Sequence, residues 1–243
     1  MELWSPNHII YLMITCLIIV SMMVIISKVD KKNQTIILYV TGSVGVLGIF
    51  FRYAMNLSFD PQNFSVQRLA LEMFQICNFN FILIPLAMIK KFEGVRQYLF
   101  MFSMLAASTA FVFYDYDIAN NQWYSLNTIN FWVNHLVIVL LPLLFVASNR
   151  FKPKVSYLLP VMFSAFLYVA LSGIFSWYLI EFQGVPREST YSYVFYPEVN
   201  AVFRYLYTLI PIYFVYLIPI GVVIAMINAA LILLFKRKQI DTF

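Results

Sequence analysis

Seven long apolar runs, separated by short polar connections, follow one another along the chain. About 20 helical residues are needed to cross the hydrocarbon core of a bilayer, so this pattern predicts seven transmembrane helices. The last run is long enough for Pro211 and Pro219 to kink it, or to split it into an interfacial piece and a span. The runs cover residues 8–27, 35–55, 68–89, 97–114, 126–148, 155–179 and 203–235.

Composition leads to the same fold class. Of the 243 residues, 62% are hydrophobic and 11% are charged, and the mean hydropathy is +0.80. A soluble domain needs a larger polar surface, so we predict an all-α polytopic membrane helix bundle that forms a single transmembrane domain over residues 1–243. Cys16 and Cys77 lie in different runs, and no Cys/His spacing matches a zinc site. Neither a metal nor another cofactor is expected.

Basic residues predict how the bundle is oriented. Twelve of the sixteen lysines and arginines fall in the first, third and fifth connections and in the C-terminal tail. Such residues stay on the cytoplasmic side, so we place the N-terminus outside and the C-terminus inside the cell membrane. The formal charge of +5 follows largely from this topology, and the expected partners are membrane phospholipids, with no nucleic acid. The twelve residues are Lys28, Lys31, Lys32, Lys90, Lys91, Arg96, Arg150, Lys152, Lys154, Lys236, Arg237 and Lys238.

The start of the third predicted span is unusually polar. Polar and charged groups are costly inside a membrane, and they tend to face a bundle interior or a wet cavity. A purely structural span does not need six of them within three or four turns, so we look for function here. The six residues are Arg68, Glu72, Gln75, Cys77, Asn78 and Asn80.

A histidine in another span matches the depth of the cysteine. Cys77 lies nine residues after Arg68, and His135 lies nine residues after Leu126. At 1.5 Å per helical residue, both are about 13 Å below the outer ends of spans that run inward. They can meet if the third and fifth spans are neighbours. Asn80 is three residues from Cys77 and shares its helix face.

The chemistry of these residues predicts acyl transfer. A histidine that accepts the proton of a thiol turns it into a nucleophile, and a cysteine so activated can take an acyl group from a lipid as a thioester. We assign Cys77 as the nucleophile and His135 as the general base. Asn80 and Asn134 orient the ring or donate to the oxyanion.

Residues near the outer ends of the spans are candidates for binding the phospholipid. Guanidinium groups pair bidentately with phosphate, so Arg52, Arg68 and Arg204 are expected to hold the headgroup, with Glu72 and His8 beside them. Simpler explanations stay open. A cysteine can be only a packing residue, Arg68 and Glu72 only an ion pair, and the other arginines can snorkel to headgroups. The asparagines can serve only to join helices.

Several segments resemble a known family. The segment 76–80, Ile-Cys-Asn-Phe-Asn, resembles the Leu-Cys-Asn type motif of the bacterial YwaF-type integral membrane proteins. Segment 133–136, Val-Asn-His-Leu, is similar to the family's histidine region in a later span, and segment 4–8 to its histidine before the first span. Segment 115–117 stands where the family often has an acidic outer turn. One departure is Gln75, where a titratable histidine is expected; glutamine hydrogen-bonds but does not titrate.

This resemblance implies a lipid enzyme. The family is related to an animal membrane acyltransferase that moves a polyunsaturated acyl chain onto ether-linked lysophospholipids. A Cys/His acyl-transfer site then falls on Cys77 and His135. The alternative is a small-solute transporter or substrate-binding membrane subunit that uses the same polar cluster. We favour the enzyme because we expect no inverted repeat and no pair of interrupted helices, which many transporters have. A retinal photoreceptor is discarded because the last span has no lysine before Lys236.

Overall fold

The apolar runs fold into helices joined by short turns. The computed structural model describes residues 5–59, 65–112, 125–187 and 194–240, and within these ranges it contains no strand. A π-helical segment covers Leu99–Ser103, and a 3₁₀ turn covers Val215–Leu217. The α-helices are α1 Pro6–Lys28, α2 Lys31–Phe59, α3 Val66–Met73, α4 Ile76–Met88, α5 Glu93–Tyr98, α6 Met104–Val112, α7 Leu126–Ala147, α8 Leu158–Gln183, α9 Ala201–Leu209 and α10 Ile218–Ile240.

Six helical stretches among the described residues are long and apolar enough to cross a membrane. Helices suit this environment because they satisfy every backbone polar group within the segment, where no water is present to do so. The prediction of a polytopic all-α bundle is therefore confirmed. The six stretches are Pro6–Lys28, Lys31–Phe51, Glu93–Val112, Thr128–Ala147, Val155–Gln183 and Val215–Phe235.

The third predicted span differs from expectation, because it is not one helix. It forms α3 and the shorter apolar α4, separated at Phe74 and Gln75. No proline or glycine lies at this break. Tertiary contacts stabilise it, since the Phe74 carbonyl accepts hydrogen bonds from the hydroxyls of Tyr168 and Ser172, nearly a hundred residues later.

The last predicted run is also divided, as its prolines suggested. Helix α9 ends at Leu209, and the spanning stretch resumes at Val215. Pro211 lies in the gap, where a helix loses its hydrogen bonding, and Phe214 has a φ of 67°. Together with the break at Phe74, this division makes a pair of interruptions, where we expected no such pair.

The chain divides into two compact units. The first contains residues 1–59 and 80–153, and the second contains residues 60–79 and 154–243. The division falls inside α4, so Cys77 belongs to the second unit, whereas Asn80 and His135 belong to the first. The single domain over residues 1–243 stays a prediction.

Helix α7 is the centre of the first unit, and α1, α2 and α6 pack against it. The contact with α2 is close because glycines face it. A Cβ atom added to Gly45 would lie 2.6 Å from Val137 Cγ1, and one added to Gly48 would lie 3.4 Å from Asn130 Oδ1. Small residues allow helix backbones to approach in this way.

Polar contacts gather three connections at one end of the first unit. Arg150, in the fifth connection, donates to the Lys31 carbonyl at 2.6 Å and to Thr35 Oγ1 at 2.7 Å. Gln97, just after the third connection, donates to the carbonyl of Lys152. The first, third and fifth connections therefore share an end, as the alternation of basic residues predicts. Which side of the membrane this end faces stays a prediction.

A five-residue π-helical segment, Leu99–Ser103, lies between α5 and α6, and all five residues are buried. Its hydrogen-bond register is wider than that of an α-helix, since the N–H of Met104 donates to the carbonyl of Leu99. Such segments are rare and usually short. The stretch Glu93–Val112 nevertheless runs on as one membrane-spanning element.

In the second unit, α8 packs against both α3 and α10. Its apolar core joins α3, the end of α8 and the segment before α9. The same segment packs on Gly173 of α8, where an added Cβ would lie 2.8 Å from Val194. The core residues are Leu71, Leu179, Ile180, Val185 and Tyr196.

The close approach of α2 and α7 gives a test of packing. We expect Gly45→Ala to lower the free energy of unfolding by about 1–3 kcal/mol, as overpacking does, because its new methyl group meets Val137. Gly221→Ala is the matched control, since nothing lies within 4 Å of its added Cβ. Thermal unfolding of the purified protein in detergent would compare them. Equal midpoints for the two variants would contradict this description.

Candidate functional site

Cys77 is the second residue of α4 and is half-buried. The break before it is held by side chains as well as by the α8 hydroxyls. The Asn78 amide donates to the Glu72 carbonyl at 2.8 Å and to Gln75 Oε1 at 2.9 Å. Cys77 therefore lies in the first turn of a helix, where the helix dipole and the backbone N–H groups favour negative charge.

The other residues predicted around Cys77 belong to both units. Glu72 is buried near the end of α3, in the second unit. Asn80 is completely buried one turn after Cys77, on the part of α4 that belongs to the first unit. The side chains of Arg52 and Arg68 lie outside the described residues, although the backbones are part of α2 and α3.

His135 is buried on α7, and its ring is oriented by its own helix. Its Nδ1 lies 2.8 Å from the carbonyl oxygen of Phe131. A carbonyl oxygen only accepts, so Nδ1 carries the hydrogen, and in the neutral ring Nε2 holds the lone pair. The ring also packs on that of Phe131, with centroids 4.2 Å apart. The basic nitrogen of the predicted general base is thus assigned to Nε2.

Asn134 points away from this ring. Neighbouring residues of an α-helix differ by about 100° around the axis, and Asn134 lies on the stripe with Asn130 and Val137, which faces the glycines of α2. Only 4% of Asn134 is exposed, and within the described part of the chain its Oδ1 has no hydrogen-bond partner. The Phe131 carbonyl, rather than Asn134, is therefore the observed orienting group of His135.

His8 is fully buried in the first turn of α1, rather than exposed at a rim. Its Nε2 donates to the Phe111 carbonyl at 2.7 Å, because a carbonyl can only accept. Its ring centroid lies 6.1 Å from that of Trp132. His8 is thereby joined to the aromatic residues around His135.

Trp132 is the residue of this cluster that sequence reasoning missed. Its ring is stacked between those of Tyr11 and Phe111, each 4.8 Å away between centroids. The Phe111 ring also meets His135 edge-on at 6.1 Å. Among the described residues, the Trp132 indole N–H has no hydrogen-bond partner, although the side chain is 4% exposed. Its position three residues before His135, on the same helix face, was the available signal.

Arg204, the third predicted phosphate ligand, is exposed on α9. This short helix is capped by Asn200, whose Oδ1 accepts from the N–H groups of Val202 and Phe203. One stripe of α9 exposes the apolar residues Val202, Tyr205 and Leu209. An apolar stripe beside a basic residue is typical of a helix that lies in the membrane interface.

The segment before α9 is tied to the end of α8 through Glu181. The Tyr196 hydroxyl donates to Glu181 Oε1 at 2.9 Å, and Arg187 forms an ion pair with the same oxygen at 3.1 Å. Arg187 also lies 5.3 Å above the Tyr196 ring. Burial, together with the bond to Glu181, raises the pKa of Tyr196 to about 12, so its hydroxyl stays protonated and donates to Glu181 even in alkaline solution.

Comparison with protein families identifies a match over nearly the whole chain. The model of the TMEM164 family matches residues 3–232, nearly the whole chain. No curated protein and no solved structure matches. Within the described residues, no group of three or more histidine, cysteine or acidic side chains could hold a metal ion.

The contact between His8 and Phe111 gives a test of the first unit. We expect His8→Leu to destabilise the protein by about 1 kcal/mol, because it removes a buried hydrogen bond. For a chain of this size the midpoint of thermal unfolding should fall by about 2–4 °C. His8→Gln keeps an N–H donor and should lose less. A His8→Leu protein as stable as wild type would show that the contact contributes nothing.

Proposed function

The chain belongs to the TMEM164 family, and on this premise we propose that it is an integral membrane acyltransferase or transacylase acting on phospholipid acyl chains. The family is related to the animal ether-lipid acyltransferase. The resemblance of segments 76–80 and 133–136 to the YwaF-type proteins supports the same chemistry. We place the protein in the cell membrane, with the site in the outer half of the bilayer.

The observation that carries the proposal is the position of Cys77 in the first turn of α4, directly after a helix break. In the first step, the sulfur attacks the carbonyl carbon of a phospholipid ester, and the thiol proton passes to His135. The N-terminus of α4 favours the negative charge that develops at the sulfur and on the carbonyl oxygen. The ester C–O bond then breaks, and the lysophospholipid oxygen leaves with the proton from His135.

The second step reverses the first with a new alcohol. A lysophospholipid hydroxyl gives its proton to His135 and attacks the thioester carbon. The C–S bond breaks, the acyl chain is joined to the new oxygen, and the proton returns to the Cys77 sulfur. His135 Nε2 is suited to this exchange because Nδ1 is engaged with Phe131, which fixes the tautomer.

The remaining residues have supporting roles in this proposal. Asn80 supplies an amide group for the oxyanion, whereas Asn134, which lies on the face of α7 turned toward α2, is no longer assigned this role. Arg52, Arg68 and Arg204 bind the phosphate group, since guanidinium matches its geometry. Glu72 and His8 complete the surroundings. Their burial indicates that they act by holding neighbouring groups and not by meeting the headgroup directly.

A transporter is the second candidate, and the two helix interruptions of the second unit favour it. Many secondary transporters bind substrates where helices are broken, because the ends expose backbone groups to the solute. One interruption here lies beside Cys77, and the other lies at residues 210–214. Purified protein in vesicles would separate the two functions: a transporter moves a solute while lipid composition stays constant, and an acyltransferase changes the lipids of a sealed vesicle.

The covalent step gives a direct test. Purified wild-type protein incubated with phospholipid carrying a radiolabelled acyl chain should retain label that hydroxylamine releases, as expected of a thioester. Cys77→Ser should abolish the hydroxylamine-sensitive label, because the sulfur is lost. Cys16→Ser is the matched control and should label like wild type, since Cys16 is exposed on α1.

His135→Gln should reduce acyl transfer about 100-fold or more, in the range that general base catalysis contributes. Mass spectrometry of the lipid products would measure it. Acyl exchange that persists in Cys77→Ser would remove the covalent mechanism. A wild-type protein that leaves all lipids unchanged, with solute uptake present, would favour the transporter.

A further inference from the structure

Two hydroxyl groups of α8 meet one backbone carbonyl of the third predicted span. Tyr168 Oη donates to the Phe74 oxygen at 2.7 Å, and Ser172 Oγ donates to the same oxygen at 3.0 Å. A carbonyl oxygen has two lone pairs, so it can accept both bonds. Phe74 is the first residue of the break between α3 and α4, three residues before Cys77.

Aromatic contacts fix the chain on both sides of this carbonyl. The ring of Tyr168 packs on Phe79 with centroids 4.8 Å apart, and Phe175 packs on Phe74 at 4.5 Å. Tyr168, Ser172 and Phe175 are spaced by four and three residues, which places them on one face of α8. Cys77 lies between Phe74 and Phe79, the two residues that this face holds.

A break in an apolar helix needs such partners. A buried carbonyl without a donor is costly in an apolar environment, and the two hydroxyls supply what a continuous helix would have supplied. We propose that Tyr168 and Ser172 are positioning residues, which keep the break in place and so hold the Cys77 thiol in the first turn of α4. This rests on the proposed role of Cys77 as the nucleophile.

Because the two hydroxyls share one acceptor, either one alone can satisfy it. Loss of both hydroxyls should therefore lower Cys77 reactivity more than the two single losses combined. Tyr168→Phe keeps the ring on Phe79 and leaves Ser172 as a donor, while Ser172→Ala leaves Tyr168. Each single variant should therefore change Cys77 reactivity by less than about 1.5-fold, and the double variant should lower it about tenfold, the effect of one buried hydrogen bond. Two unrelated structural losses would instead multiply.

The rate at which a thiol reagent alkylates Cys77 reports on the position of the thiol and does not depend on acyl transfer. Full-length protein in phospholipid vesicles would be treated with a membrane-permeant maleimide, and peptide mass spectrometry would follow the alkylation of Cys77. The readout is the ratio of the Cys77 rate in each variant to the Cys77 rate in wild-type protein treated in parallel, taken as a function of pH. Cys16 does not serve as the reference, because it lies within the spanning stretch Pro6–Lys28. Matched controls are Ser164→Ala, whose hydroxyl bonds only within α8 to Pro160, and Tyr178→Phe.

We expect a ratio close to one in both single variants and both controls. In the double variant the ratio should be about tenfold lower, and the pH dependence of the Cys77 rate should be shifted. An unchanged or raised ratio in the double variant would overturn the proposal, as would a wild-type Cys77 that does not react. Failure of the proposed function gives a different result. If the double variant lowers the ratio but wild-type protein forms no acyl thioester, Tyr168 and Ser172 still position Cys77, and the acyltransferase proposal is wrong.

Discussion

Every backbone polar group inside a membrane must find a partner, and where the third predicted span is interrupted a distant helix supplies that partner. The carbonyl of Phe74 is released from helical bonding and taken up by Tyr168 and Ser172 of α8. The Asn78 amide closes the turn from the other side. Without these donors the interruption would be expensive in hydrocarbon. The local geometry of Cys77 therefore depends on a helix that follows nearly a hundred residues later.

In the first unit, the two faces of the central helix α7 contact different kinds of residue. One face of α7 meets α2 so closely that at Gly45 a single methyl group would lie 2.6 Å from Val137. The other face carries Trp132 and His135 among the aromatic residues of α1 and α6. Dense packing on the first face restrains the helix, and stacking restrains the rings on the second. His135 is thereby a rigid group with a defined tautomer.

Local signals in the sequence predicted much of this fold. Apolar run length located the spanning stretches, and the alternation of lysine and arginine predicted that the first, third and fifth connections meet, as Arg150 and Gln97 show. The break at Phe74 was not predictable in this way, because it has no glycine or proline and its donors are remote in sequence. In the last run Pro211 did mark the interruption, since proline acts on its own helix.

The roles of the candidate site residues stay a prediction, and the contacts around these residues were not predictable from the sequence. Cys77 and His135 stood out as reactive groups in apolar surroundings, but side-chain patterns contain no information on the backbone carbonyl that orients His135. The same limitation misplaced Asn134, whose neighbouring position on α7 turns it toward α2. We expected His8 to bind the phospholipid headgroup because it is near the end of a span. Its side chain is instead buried and donates a hydrogen bond to the Phe111 carbonyl.

The π-helical segment Leu99–Ser103 has a consequence for how this gene can change in length. An i→i+5 turn holds one residue more than an α-helical turn, so deleting any one of the five would let the segment become α-helical. Because the lost residue is the extra one of the wide turn, α5 and α6 would keep their mutual orientation to within a fraction of the roughly 100° that one residue contributes in an α-helix. Arg96, which donates to the Ala87 carbonyl and lies over the Phe145 ring, would keep both partners. A one-residue deletion is therefore expected to be better tolerated in this segment than in the regular α-helical turns on either side, where it would rotate one part of the helix against the other.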